Sequence, residues 1–177
     1  NYGIFDFDTP NFVVKFVRGK LLYKLGVDQY RRFEYQYKVQ NRRVIEQVFN
    51  FNPTEKQQVF DYLLNNAKPE NTYYQYDFFY DNCSSRIRDI VKQACGDALV
   101  FNLREKGEKS FRQLIDPYLA DKRFQDLGMD LGMGSPADVV ATPWQEMFLP
   151  DFLFDGFANA KNDNNPLVSK TQIIFMG

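Results

Sequence analysis

The chain has 177 residues, enough for one globular domain with a sizeable buried core. With 22 Lys and Arg against 23 Asp and Glu its net charge is −1, so no global field draws nucleic acid. No stretch nears the roughly 18 consecutive apolar residues that span a bilayer, and the 18 Phe and 11 Tyr build a core or a cleft from rings.

In chain order, Asn1 to Asp8 reads as a strand ended by Thr9-Pro10, with Asp6 and Asp8 as turn chemistry rather than a carboxylate pair. Phe12 to Val17 gives one or two helical turns before Gly19. From Arg32 to Gln40 the residues alternate, Phe33, Tyr35, Tyr37 and Val39 against charged and amide side chains, which predicts a strand with one buried face. A weaker alternation predicts a second strand over Arg43 to Phe51, paired antiparallel with the first around Gln40 to Arg42.

Asn52, Pro53 and Glu55 write a helix start of capping-box type, and Val59, Phe60, Leu63 and Leu64 supply its apolar stripe. Lys68-Pro69-Glu70-Asn71 ends that helix, and an aromatic segment from Tyr73 to Tyr80 leads into the next. That helix begins at Cys83, after the capping residues Asp81 and Asn82. Ile87, Ile90, Val91 and Ala94 mark its buried face, which Cys83 shares, while Arg86, Arg88, Asp89, Lys92 and Gln93 take the remainder. Further on, Ser110 caps a short helix that Pro117 interrupts, and glycines mark a loop from Leu127 to Asp138. Thr142-Pro143-Trp144-Gln145 repeats the capping box before a short helix ending at Leu149-Pro150. Asn162 to Pro166 is a polar turn, and Leu167 to Phe175 a last strand. No internal repeat or linker divides the chain.

Cys83 is the residue with most chemistry to offer. The first turn of a helix carries partial positive charge, the setting in which nucleophilic cysteines are usually placed. A thiolate nucleophile normally borrows an imidazole, yet the chain holds 0 His. On residues alone, a cleft nucleophile and a buried structural cysteine fit the position equally. Cys95 lies about 18 Å further along the helix axis at about 1.5 Å per residue, beyond the roughly 7 Å that a disulfide spans, and reads as a small packing residue. No His, no Cys pair and no defensible carboxylate spacing leave neither metal nor cofactor expected. The Leu127 to Gly134 glycines are not a phosphate loop, since no Gly-Lys-Ser/Thr follows.

Four blocks resemble the N-terminal periplasmic domain family of the bacterial lipoprotein N-acyltransferase Lnb. They are Asn1 to Phe12, Asn41 to Gln47, Pro69 to Asp89 with its Asp-Asn-Cys-Ser-Ser-Arg-Ile-Arg-Asp core, and Gly134 to Asp138 with Pro143 to Pro150. The resemblance implies a single α+β, permuted papain-like domain over residues 1–177, an antiparallel sheet packed on helices with the nucleophile at a helix N-terminus. In that pattern a histidine strand precedes the cysteine helix, so the general base is expected upstream of Asn1 and this chain is expected to lack its His-bearing strand. The implied activity is acyl transfer through a Cys83 thioester, from a phospholipid donor to the N-terminal amine of a lipoprotein. The implied location is the periplasmic cell envelope, with membrane tethering by segments outside this chain. Asn1 is a candidate to orient the missing histidine, and Asp81 and Asn82 support the helix start. Arg86, Tyr80 and Tyr76 are candidate substrate-binding residues; for Arg86 an ion pair with Asp81 or Asp89 is favoured. For Tyr76, Phe78 and Phe79 a place in the core is favoured over an acyl groove. Two other classes stay open: a cysteine peptidase or amidase of the cell wall, and a non-catalytic periplasmic binding module.

Overall fold

The structure, a computed structural model, describes residues 2–5, 10, 11, 15, 20–119 and 134–177. The N-terminal residues meet the rest through an antiparallel bridge from Ile4 to Lys24, the last residue of strand β1 (Leu22–Lys24). Helix α1 (Tyr30–Val39), strand β2 (Val44–Phe49), helix α2 (Pro53–Asn66), strand β3 (Tyr73–Gln75) and helix α3 (Cys83–Cys95) follow. A 3-10 turn (Gly96–Ala98) leads to β4 (Leu99–Val100) and α4 (Phe111–Leu119), and a second 3-10 turn (Ser135–Asp138) to α5 (Pro143–Glu146) and α6 (Pro150–Asn159). Strands β5 (Lys161–Asn162), β6 (Asn165–Pro166) and β7 (Val168–Phe175) complete a mixed α+β architecture. Its sheets are small and antiparallel: β1 with β3, β2 with β7, and β4-β5-β6.

Helices start where the sequence writes caps. Asn52 Oδ1 accepts from the Glu55 N–H at 2.9 Å, and Glu55 Oε2 accepts from the Asn52 N–H at 2.8 Å. Glu55 is buried, and its other oxygen accepts from Asn162 Nδ2 at 2.8 Å, so one capping carboxylate also clamps α2 to the β5–β6 turn. Thr142 and Gln145 form the same reciprocal box at α5, and Ser110 with Gln113 does so before α4, which contains Pro117. Asp163 and Asn164 take φ of 48° and 64° in the β5–β6 hairpin, a left-handed two-residue turn that Asp and Asn tolerate. The last strand is β7, within the Leu167 to Phe175 span expected of it.

Pairing partners differ from the expectation. Arg32 to Gln40 is not a strand: Tyr30–Val39 is helical, and Phe33 packs on Tyr37 at 4.4 Å between ring centroids. Tyr30, Phe33 and Tyr37 fit one helical face as well as Phe33, Tyr35, Tyr37 and Val39 fit a strand face, so the local pattern allowed both. Consequently no hairpin forms around Gln40 to Arg42; β2 pairs instead with β7, Ile45 opposite Ile173 and Val48 opposite Lys170. The α2 stripe is not buried either, since Phe60, Leu63 and Leu64 are exposed. On α3, Ile87 is exposed and Arg88 buried, reversing their expected faces. Arg88 is satisfied there by Asp89 at 2.7 Å and the Trp144 carbonyl at 2.9 Å, with its guanidinium 4.3 Å from the Trp144 ring. Pro150 opens α6 rather than ending structure, and Leu153 and Phe157 bury its inner face. Of the Asn1 to Asp8 strand, the Phe12 to Val17 turns and the Leu127 to Asp138 loop, most lies outside the described residues.

Three apolar clusters result. One gathers Phe79, Phe111, Leu114, Ile115, Phe148 and Leu149. A second places Val91 and Cys95 of α3 against Leu99, Met147, Leu153 and Phe157, the small packing role expected of Cys95. The third is smaller and aromatic: Leu21, Tyr23 and Tyr74, with Tyr2 and Tyr76 packed on it.

Candidate functional site

Cys83 occupies the first turn of α3, and Asn82 fixes that turn. Asn82 Oδ1 accepts from the Ser84 and Ser85 N–H groups, both at 2.9 Å, while the Asn82 N–H donates to Ser85 Oγ at 2.8 Å. Its Nδ2 donates to the Phe78 carbonyl at 3.0 Å and the Phe148 carbonyl at 2.9 Å. One buried amide thus ties the helix start to the turn before it and to the segment between α5 and α6. The Cys83 N–H is left over: among the described residues it meets no acceptor.

Asp81 sits one residue before the cap and bridges to Asp77, whose Oδ1 accepts from the Phe79 and Tyr80 N–H groups. Its carboxylate forms an ion pair with Arg86, whose Nη2 donates to Oδ2 at 2.7 Å while Nε lies 2.6 Å from Oδ1. The Arg86 guanidinium lies 3.6 Å from the Tyr74 ring centroid and 5.9 Å from that of Tyr2. Arg86 therefore orders the wall of the site through Asp81 and two aromatic faces. Tyr80 is exposed and sets its ring edge-on to Phe111, away from the tyrosine cluster. Phe79 is core and Phe78 packs against it. Asn1 lies outside the described residues.

Cys83 itself is half-buried. Gly3 passes directly over it: a Cβ there would lie 3.5 Å from Cys83 Cβ, and φ of +93° is one that side chains rarely adopt. Three tyrosines complete the surroundings. Tyr23 and Tyr76 stack at 3.9 Å between centroids, and Tyr74 leans on Tyr23 at 6.3 Å. Burial pushes the Tyr23 phenol up to about 12, and the nearness of Cys83 adds to it. Tyr74 and Tyr76 are pushed up as well, again first by burial and then in part by Cys83. At neutral pH all three keep their protons, and each lies near enough to Cys83 to feel the charge of a thiolate there. Among the described residues, no group of three or more His, Cys, Asp or Glu gathers to hold a metal ion.

Tyr23, Tyr74 and Gly3 escape sequence reasoning. The aromatic run from Tyr73 flags a ring-rich segment, but strand alternation cannot say which rings reach a helix start elsewhere in the chain. Pairing decides it: Tyr23 lies opposite Tyr74 in the β1–β3 register, both side chains are buried, and Arg86 of α3 lies over the Tyr74 ring.

The two thiols are chemically unequal. Cys95 is buried, and burial, with Glu55 adding, pushes its thiol up to about 11. Native protein at pH 8 should take up one alkyl label, on Cys83, and two after denaturation, read by intact mass. The Cys83→Ser variant should take up none until unfolded; two labels on the native chain would contradict this assignment.

A half-buried cysteine on a helix's first turn, enclosed by protonated phenols in an α+β frame, defines a candidate thiol-dependent site. Comparison places the chain more closely. The model of the Lnb N-terminal periplasmic domain matches residues 1–116, well over half of the chain, and the chain belongs to that family of periplasmic domains. The matched span contains Gly3, the tyrosine cluster and all of α3; the segment that supplies the Phe148 carbonyl to Asn82 lies beyond it. No curated protein and no solved structure matches the chain.

Proposed function

We propose that this domain is a thiol-dependent acyltransferase of lipoprotein maturation, with a permuted papain-like arrangement and Cys83 as nucleophile. The observation that carries the reading is the division of labour at the α3 start. Asn82 consumes the Ser84 and Ser85 N–H groups and leaves that of Cys83 unspent beside its own thiol. A free N–H at a helix N-terminus is suited to an acyl oxyanion. Tyr23, Tyr74 and Tyr76, protonated at neutral pH, lie near enough to Cys83 to feel its charge.

In the proposed cycle the Cys83 thiolate attacks a phospholipid ester carbonyl. The ester C–O bond breaks, the departing alcohol takes a proton from the general base, and a thioester remains. The N-terminal amine of a lipoprotein then attacks that thioester, gives its proton to the base, and the C–S bond breaks to return the thiolate as the amide forms. The base is an imidazole supplied from upstream of Asn1, which fits the approach of Gly3 to Cys83. No helix among the described residues is long and apolar enough to cross a membrane.

The test is thioester capture on the full-length protein with a labelled phospholipid. The expected result is one acyl chain on Cys83, released by neutral hydroxylamine, and an acyl-transfer rate at least about 1,000-fold lower in Cys83→Ser. Full transfer by Cys83→Ser would overturn the assignment. An adduct formed only with cell-wall peptides would make the domain a peptidase or amidase instead.

A further inference from the structure

Helix α1 presents a physical problem. It is 10 residues long and buries none of them, although helices shorter than about 12–15 residues are marginal in water without packing. Its Tyr30 and Phe33 line a groove of about 480 Å³ with Leu25 and Val27 on one side and Phe60 and Leu64 of α2 on the other. These are exposed tips rather than a sealed core: Val27 is 78% exposed, Phe60 56%, Tyr30 54% and Leu64 53%. A second apolar patch lies at β1, where Leu22 and Tyr73 are exposed beside Lys15, Lys20 and Lys24. A patch of this kind calls for a cover.

Charge says which. Residues 20–43 carry seven Lys and Arg (Lys20, Lys24, Arg31, Arg32, Lys38, Arg42 and Arg43) against Asp28 and Glu34, a local net of +5 in a chain whose net charge is −1. Arg32 and Lys38 pair with Asp28 and Glu34, so the two acids are already engaged along α1 itself. All seven cations are exposed. Lys15, Lys20 and Lys24 line the patch around Leu22 and Tyr73, and Arg31 and Arg32 follow Tyr30 on α1, although the groove between α1 and α2 has Asp28 as its one charged lining residue. Exposed apolar tips with cations close by match the boundary of an anionic bilayer, where apolar side chains enter between headgroups and cations meet phosphates.

We infer that the face formed by α1, the exposed side of α2 and the outer side of β1 is a docking surface for an anionic phospholipid bilayer. β1 then has two jobs. Leu22 and Lys24 face the lipid, and Tyr23 between them faces the opposite way, into the tyrosine cluster beside Cys83.

The test is co-sedimentation of the 177-residue chain with vesicles of mixed phosphatidylglycerol and phosphatidylcholine, and with phosphatidylcholine alone. Binding is read without catalysis, so its result is separate from that of thioester capture. At least about tenfold tighter binding to the anionic vesicles is expected, lost as salt rises to about 0.5 M. Phe60→Ser with Leu64→Ser, and separately Lys24→Glu with Arg31→Glu, should each weaken it about tenfold or more, with circular dichroism unchanged because all four side chains are exposed. Equal binding to both vesicles, or no loss in the Phe60/Leu64 variant, overturns the inference. So does a dimer in sedimentation velocity that the Phe60/Leu64 variant dissociates, since the cover would then be a second copy.

Discussion

Asn82→Ala is expected to lower the unfolding free energy by about 3–4 kcal/mol, among the largest effects of any polar substitution here. A lost helix cap accounts for about 1 kcal/mol. The remainder comes from stranded backbone groups, at about 1–3 kcal/mol for each buried group left without a partner. The Ser84 and Ser85 N–H groups that lose Oδ1 are the cap itself; the stranded groups are the Phe78 and Phe148 carbonyls, which lose the Nδ2 donor and, at the low end of that range, add about 2–3 kcal/mol together. Asn82→Asp separates the two halves of the role. It keeps an acceptor for the helix N–H groups but sets a carboxylate oxygen against two carbonyls, so it should recover only part of the loss. Urea unfolding followed by circular dichroism reads both. A loss under about 1 kcal/mol in the alanine variant would mean that water replaces the amide. Because the same amide positions the first turn of α3, the alanine variant should also label more slowly or more variably at Cys83.

Phe111→Ala should cost about 3–5 kcal/mol, a range set by transfer of the ring and the cavity it leaves. Phe111 is 0% exposed and lies in the middle of a ring cluster, with centroids 4.5 Å from Phe79, 5.3 Å from Phe148 and 5.5 Å from Tyr80. Collapse onto the void is opposed by its neighbours, because Phe79 and Phe148 also pack on one another and on Phe78. For a domain with stability in the usual range of about 5–15 kcal/mol this is a large share. At about 2–4 °C per kcal/mol for this size, the melting temperature should fall by roughly 10 °C. Phe111→Leu, which retains much of the volume, should fall by less than half as much. Equal melting of Phe111→Ala and the native chain would show that the cluster repacks freely.

Local chemistry was legible wherever a residue acts on its near neighbours. The boxes at Asn52/Glu55 and Thr142/Gln145, the Asn82 cap, the strand through Val168–Phe175 and the packing role of Cys95 all follow from residues within a few positions of one another. Side chains that choose between distant partners were not legible. Alternation at Phe33, Tyr35, Tyr37 and Val39 reads as a strand, but a strand needs a ladder beside it, and the neighbouring strand β2 is taken by β7. Without that partner, backbone groups in the segment satisfy one another as a helix. Arg88 reads as a surface charge from its place on α3, yet the Trp144 carbonyl and ring make a buried position tolerable.

The sequence by itself determined the element carrying Cys83, its cap, and the family to which the chain belongs. Short-range hydrogen bonding and helical periodicity are properties of consecutive residues, so they survive reading in one dimension. Only the tertiary structure decided what surrounds the thiol. Gly3 above it, Tyr23 and Tyr74 beside it, and the Phe148 carbonyl behind its cap come from four separate stretches of chain. The reason is that strand register and side-chain burial depend on which partners the whole chain leaves available. The same holds for the exposed face of α1, whose aromatic residues look like a core in sequence and become a surface because no other described element covers them.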